Sequence, residues 1–209
     1  MLFRSQWLSN EGCDAVIAQG LEAGGHRAMF LATDPASQVG TFALVPQIAD
    51  AVRIPVIAAG GVADARGIVA AFALGASAVL LGTAYLRCPE ARTSAVLRKA
   101  LETVRDDSTV ITNVITGRPA RGIVNRIIRE AGPVSPAVPE FPRPADALGP
   151  LRARAESQGS GDFSPLWAGQ AAAMSREVPA GVLTKTLAED AMRLMNDVVA
   201  AFRPRSDAN

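Results

Sequence analysis

The stretch IPVIAAGGVADARGIVAAFALGASAVLLGTAYL, residues 54–86, decides the fold. Ile54 to Ala59 is a short apolar run with β-branched residues, closed by Gly60-Gly61, and reads as a buried parallel strand. Asp64 stands where a side-chain N-cap belongs, and Ile68, Ala71, Phe72 and Gly75 fall on one face of the helix that follows. Gly75 ends that helix, and Ala78 to Leu81 reads as a second buried strand closed by Gly82-Thr83. Strand, helix and strand make one βαβ unit. Its strands run in the same direction with a right-handed crossover, so both turns lie at one end of the sheet. Two such turns can hold one phosphate. Glycine lets the backbone approach an anion, successive N–H groups form a concave nest, and a helix N-terminus adds partial positive charge. The Thr83 hydroxyl supplies a further donor. Singly, glycine turns are ordinary punctuation. On adjacent strands they match the phosphate site of a (β/α)8 barrel, which is built from the loops after strands 7 and 8.

Composition bounds the rest. The chain has 209 residues, 49% of them hydrophobic, enough to bury a core in one domain with or without a small appendage. With 21 basic and 20 acidic side chains the formal net charge is +1, so no global field attracts nucleic acid or an anionic membrane. Cys13 and Cys88 have no metal-ligand spacing and fit a reducing, cytoplasmic setting better than a disulfide scaffold. The N-terminal MLFRSQWLSNEG holds no apolar segment of signal-peptide length. Gly67 to Leu86 carries no charge, which raises the question of a membrane span. Gly75 and Ser77 divide it into a helix and a strand, as in the interior of an α/β fold.

From the N-terminus, Leu2, Phe3, Trp7 and Leu8 fit the tail of an amphipathic helix entering Gly12. Asp14 to Gln19 reads as a buried strand that opens into GLEAGGHR, residues 20–27, which holds the chain's single histidine. A lone histidine is commonly structural or exposed, but His26 follows a strand and two glycines and is a candidate base. Residues 33–40 read as a polar loop, Thr41 to Val45 as a third short strand, and Pro46 to Val52 as a helix with its proline in the first turn. Strands near 14, 41, 54 and 78 then make four parallel βα units, half a barrel.

Beyond Leu86 the pattern predicts a helix over 91–104, a β-branched segment over 111–116, and a basic turn over 117–122 before a short helix through Arg129. Arg118, Arg121, Arg126 and Arg129 could bind an anion, though a solvated face is the plainer reading at this net charge. Residues 132–150 hold six of the 14 prolines and therefore read as an extended connector. Ala147 to Ser157 reads as helical, and Gly159 to Gly161 as flexible. Leu183, Leu187, Ala191, Leu194, Val198 and Phe202 mark one face of a terminal helix.

With these residues in hand, the chain resembles the nitronate monooxygenase family. The resemblance is carried by QGLEAGGHR (19–27), LVPQIADAV (44–52), PVIAAGGVADARG (55–67), LGTAYLRCPEA (81–91), TGRPARGIVNR (116–126) and LWAGQ (166–170). AGG and LGT are shared with other FMN barrels, whereas EAGGHR together with GRPARG is specific. The resemblance implies an α/β protein: the C-terminal half (strands 5 to 8) of a TIM-type (β/α)8 barrel over residues 1–92, then a mainly helical region over 93–209. It implies FMN as cofactor and oxidation of nitronates, and in some members nitroalkanes, by dioxygen to a carbonyl compound and nitrite. Carried over by position, Gln19 and Gly24 would contact FMN after strand 5, Gly61 would bind its phosphate after strand 7, and Leu80, Leu81, Gly82 and Thr83 would do so after strand 8. His26 would be the active-site base, since a group poised near neutrality best removes a proton beside a nitro group. No metal ligand set is expected. A full barrel needs eight βα units in about 250 residues, so the first four are expected to be missing, which exposes edges for self-association and makes low activity of the chain alone the expectation. An inactive fragment, half of a split barrel, or a related FMN-dependent NADH:quinone or enoyl reductase are the alternatives.

Overall fold

The computed structural model describes residues 2–29 and 34–201, with side chains from Ser5 onward. The side chains of Leu2 and Phe3, and the whole of Thr33 and Phe202, lie outside it. In chain order the elements are α1 (Leu2–Asn10), β1 (Val16–Gln19), β2 (Gly25–His26), α2 (Thr41–Ala51), β3 (Val56–Ala59), α3 (Ala65–Ala73) and β4 (Ala78–Leu80). There follow α4 (Ala95–Thr103), β5 (Thr109–Thr112), β6 (Ala120–Ile123), α5 (Arg126–Ala131), α6 (Arg143–Ser157) and α7 (Ala180–Ala201). The architecture is α/β, with a parallel sheet in the order β1-β3-β4 and an antiparallel sheet in the order β2-β6-β5.

The βαβ unit read from residues 54–86 is present. β3 and β4 pair in parallel with Ile57 opposite Ala78 and Ala59 opposite Leu80, so both glycine turns leave the sheet at the same end. Asp64 caps α3 by accepting from the amides of Arg66 and Gly67, and Gly75 leaves the helix at φ +95°. Ile68 and Ala71 are buried as expected, whereas Phe72 is 40% exposed.

The strand expected at Thr41 to Val45 does not exist. Those residues open α2, and β1 pairs directly with β3, giving three parallel strands and not four. Two causes combine. Thr41, Leu44, Val45 and Ile48 are all buried and spaced i, i+3, i+4, i+7, the period of a helix. The start of the helix is held from a distance, because the Glu22 carboxylate accepts the Thr41 amide at 2.8 Å and the Thr41 hydroxyl at 2.8 Å. Pro46 therefore sits inside the helix and not in its first turn.

The parallel sheet buries mainly one face, Ala59 being the buried residue on the other. Val16, Ala18, Val56 and Ala58 pack under Leu44, Val45, Ile48, Ala71 and Ala76. On the opposite face Ile17 is 53% and Leu80 47% exposed, so the strands are not buried on both sides as expected. Side chains alternate across a strand, and helices cover a single side of this one.

The basic turn expected at 117–122 ends inside β6, whose four residues are all buried. β5 starts two residues before the expected β-branched segment and stops at Thr112. Helix α6 begins at Arg143, within the stretch expected to be an extended connector. In α7, Leu183, Leu187 and Ala191 pack on Ile68 of α3 and on Cys88, so the last helix covers the outside of the central βαβ unit. Leu194 is half-buried and Val198 exposed, so the buried stripe is shorter than its sequence face. Among the described residues no helix is long and apolar enough to cross a membrane.

Candidate active site

A cavity of about 380 Å³ opens at the C-terminal end of the parallel sheet, between its uncovered face and the segment around Trp167. Its lining gathers Gln19 from the end of β1, Gly24 from the following loop, Gly60 and Gly61 from the turn after β3, and Leu80, Gly82 and Thr83 from the end of β4. Six of the eight residues singled out from the sequence thus meet in one place. Leu81 and His26 do not line it. Leu81 turns outward and packs in the cluster formed by α3 and α7, which leaves only its backbone to face a ligand.

The turn after β3 is built for close approach. Gly60 and Gly61 have φ of +112° and +73°, a left-handed pair open to glycine, and a Cβ on Gly60 would stand 2.9 Å from the Ala23 amide nitrogen. A Cβ on Gly82 would meet no atom within 4 Å, so the space beside it is open to a ligand. Thr83 Oγ1 accepts the Gly169 amide at 2.9 Å and keeps its own proton to donate. Backbone amides, a hydroxyl and open room around glycine are what a phosphate ester needs.

The loop after β1 is held in shape by two buried arginines. Arg27 donates to Gly20 O, Ala23 O and Gln38 Oε1, each at 2.6 Å. Arg121 donates to Leu21 O at 3.0 Å. Arg121 is 5% exposed, so it is an internal strut and not part of a solvated basic face. Burial, and then the Arg121 charge, lower the Arg27 pKa to about 10, leaving it charged at neutral pH. Their carbonyl acceptors lie up to 100 positions away in sequence, which hides this role from motif reading.

The C-terminal region closes the opposite wall. Gln170 N donates to Glu22 O at 2.9 Å, and Trp167, Gly169 and Ala171 line the cavity. A Cβ on Gly24 would sit 2.6 Å from the carbonyl carbon of Ala168, so the two segments touch through glycine. LWAGQ was visible as a motif, but nothing in its sequence assigned it to the cavity.

His26 stands beside this wall. Its ring lies 5.6 Å from that of Trp167 and 6.2 Å from that of Phe141, centre to centre. Nε2 is 2.9 Å from Thr116 Oγ1, and the Gln19 side-chain amide donates to the His26 carbonyl at 3.1 Å. His26 is exposed, yet the desolvation that its neighbours impose, and then the Arg118 charge, lower its pKa from the ordinary value. Among the described residues no cluster of His, Cys, Asp or Glu could hold a metal ion, and both cysteines are free thiols.

The comparisons with known proteins agree with the motifs. Residues 4–190 match the nitronate monooxygenase family profile. The chain is 47% identical over 180 residues to a nitronate monooxygenase of Pseudomonas aeruginosa, covering 86% of this chain and 51% of that protein. It is 41% identical over 195 residues to a probable nitronate monooxygenase of Staphylococcus saprophyticus, covering 90% and 54%. Among solved structures, nitroalkane oxidase from Streptomyces ansochromogenes superposes with a TM-score of 0.87 at 38% identity, covering 95% of this chain and 57% of that one. FabK from Thermotoga maritima superposes with a TM-score of 0.77 at 29% identity, covering 96% and 61%. The chain spans about half the length of the curated relatives it matches. Motifs, profile and superposition converge, and the chain belongs to the nitronate monooxygenase family.

Proposed function

We propose that the chain is the FMN-binding and proton-abstracting part of an enzyme that oxidises nitronates, and nitroalkanes, with dioxygen to a carbonyl compound and nitrite. The observation that carries this reading is the convergence of Gln19, Gly24, Gly61, Leu80, Gly82 and Thr83 on one cavity. The cavity fits FMN: the Gly60-Gly61 turn and the open room at Gly82 suit its phosphate. Gly61, Gly82, Thr83 and the backbone of Leu81 would hold that phosphate, while Gln19, Gly24 and Leu80 would border the rest of the cofactor. FMN, when bound, supplies the redox chemistry.

The chain's own residues supply placement and a base. His26, neutral at working pH, takes the proton from the carbon beside the nitro group. A preformed nitronate has no such proton to lose, so His26 is needed for the nitroalkane only. Trp167 lines the cavity and its ring lies 5.6 Å from that of His26, so it would shield that side of the site from water.

In this reading β1, β3 and β4 belong to the second half of a (β/α)8 barrel, residues 1–92 form the partial barrel, and residues 93–209 form the mainly helical region. The uncovered face bearing Ile17 and Leu80 supports it, because barrel strands need cover on both faces. The same face supports self-association, or work as one half of a split barrel. Two free thiols support a cytoplasmic setting. A second reading, a flavin-dependent NADH:quinone or enoyl reductase, would use the same glycine turns. The test is to join this chain to the N-terminal half of the Pseudomonas aeruginosa relative and measure bound flavin, nitronate-dependent oxygen uptake and NADH consumption. Flavin with oxygen uptake on nitronates supports the proposal, and flavin with NADH turnover alone replaces it with the second reading.

A further inference from the structure

The bonding around Thr116 constrains the proton of the only histidine in the chain. Thr116 Oγ1 makes three contacts, to His26 Nε2 at 2.9 Å, to Arg118 O at 3.3 Å and to Arg118 N at 3.4 Å. A hydroxyl has one proton to give and two lone pairs to receive with. The Arg118 carbonyl can only accept, and the Arg118 amide can only donate. All three contacts therefore hold together in a single arrangement: the hydroxyl donates to Arg118 O and accepts from Arg118 N and from His26 Nε2–H. We propose that Thr116 is a positioning residue for His26, fixing its ring orientation and the Nε2–H tautomer so that Nδ1 is the basic nitrogen.

The rest of the surroundings make such fixing effective. The backbone of His26 is held on one side by antiparallel pairing with Ala120 and on the other by the Gln19 amide. The rings of Trp167 and Phe141 stand against the imidazole, and the Arg118 guanidinium lies 5.7 Å from the centre of the Phe141 ring. Arg118 is the charged group that faces His26, and Thr116, Phe141 and Trp167 are uncharged. The catalytic meaning of the tautomer rests on the proposed role of His26 as base, but its existence does not.

Because His26 is the only histidine, ¹⁵N-histidine labelling of the chain as it stands gives one imidazole in the spectrum. The expected result is a single Nε2–H tautomer above the titration range, and the Nδ1–H tautomer there would overturn the proposal. Thr116→Val removes the acceptor, which favours the imidazolium more than the neutral ring, so the His26 pKa should fall by about half a unit to one unit. Thr116→Ser should restore it. A rise in Thr116→Val would mean that the hydroxyl donates to Nε2, and no change would mean that it does not position the ring; either overturns the proposal. In the chimaera, Thr116→Val should lower kcat on neutral nitroalkanes about tenfold with little change on nitronates. Full-strength flavin binding and nitronate turnover with an unmoved tautomer would sink the positioning role alone, whereas equal loss on both substrates in His26→Asn would sink the base assignment.

Discussion

The Glu22 carboxylate reaches across 19 positions of sequence to accept both the backbone amide and the hydroxyl of Thr41. It thereby ties the loop after β1 to the first turn of α2. A carboxylate at a helix N-terminus satisfies orphan amides and meets the positive end of the dipole.

Glu22→Ala should accordingly free the start of α2 at a cost of about 0.5–2 kcal/mol, the range of lost side-chain caps. Chemical denaturation of the chain checks it. An unchanged midpoint and slope would show that water replaces the carboxylate at no cost.

Gly24→Ala tests the contact between the β1 loop and the C-terminal region. The added methyl would meet the Ala168 carbonyl carbon and the Gly169 nitrogen, both at 2.6 Å and both backbone. The 168–170 segment has to move away, so the chimaera should lose flavin affinity by tenfold or more while β3 and β4 stay paired. Fluorescence quenching on flavin titration reads the loss, and native affinity would mean that the segment yields without cost to the site.

Gly82→Asp should abolish flavin binding in the chimaera. The open room beside Gly82 would be taken by a carboxylate that repels a phosphate. Gly82→Ala, which adds bulk without charge, should weaken binding less. Equal effects of the two would assign the loss to sterics alone, and no effect of either would remove Gly82 from the phosphate site.

His26→Asn should depress turnover of neutral nitroalkanes far more than that of nitronates. In the unaltered chimaera, nitroalkane turnover should fall as pH drops, because the base becomes protonated. The His26 pKa is lowered by burial and by Arg118, so that fall is displaced to lower pH than for an ordinary imidazole, and Arg118→Gln should move it upward. Rate profiles from pH 5 to 8 on both substrate forms check the sign, and a midpoint moving down in Arg118→Gln would contradict it.

The chain alone should self-associate and hold flavin weakly. Ile17 and Leu80 are exposed on a face that also borders the cavity, and β1 and β4 each present an edge to which no described strand is paired. Light scattering with flavin quantitation after purification tests this. A monomer retaining stoichiometric FMN would refute it.

What the sequence made legible was local. The β3–α3–β4 unit, its Asp64 cap and its glycine turns follow from a run of residues whose partners lie within one supersecondary unit. The start of α2 is not legible from residues 41–45 alone, because the burial period that marks a helix runs on through Ile48. Its other determinant, Glu22, is distant in sequence. Arg121 is not legible as a buried strut for the same reason, since its carbonyl partner Leu21 belongs to another region of the chain. Trp167 and Thr116 escaped notice as site residues because only folding brings LWAGQ and TGRPARG beside His26.

The packing of α7 on α3 sets an order of events during synthesis. Ile68, on the helix that follows the Gly60-Gly61 turn, is covered by Leu183, Leu187 and Ala191, which leave the ribosome after every strand of both sheets. Contacts of such sequence separation close late, because the intervening chain must first be gathered in. The turn proposed to hold a phosphate is therefore encoded early, and a nascent chain stalled before α7 would carry the glycine signature without the cover that α7 lays on α3.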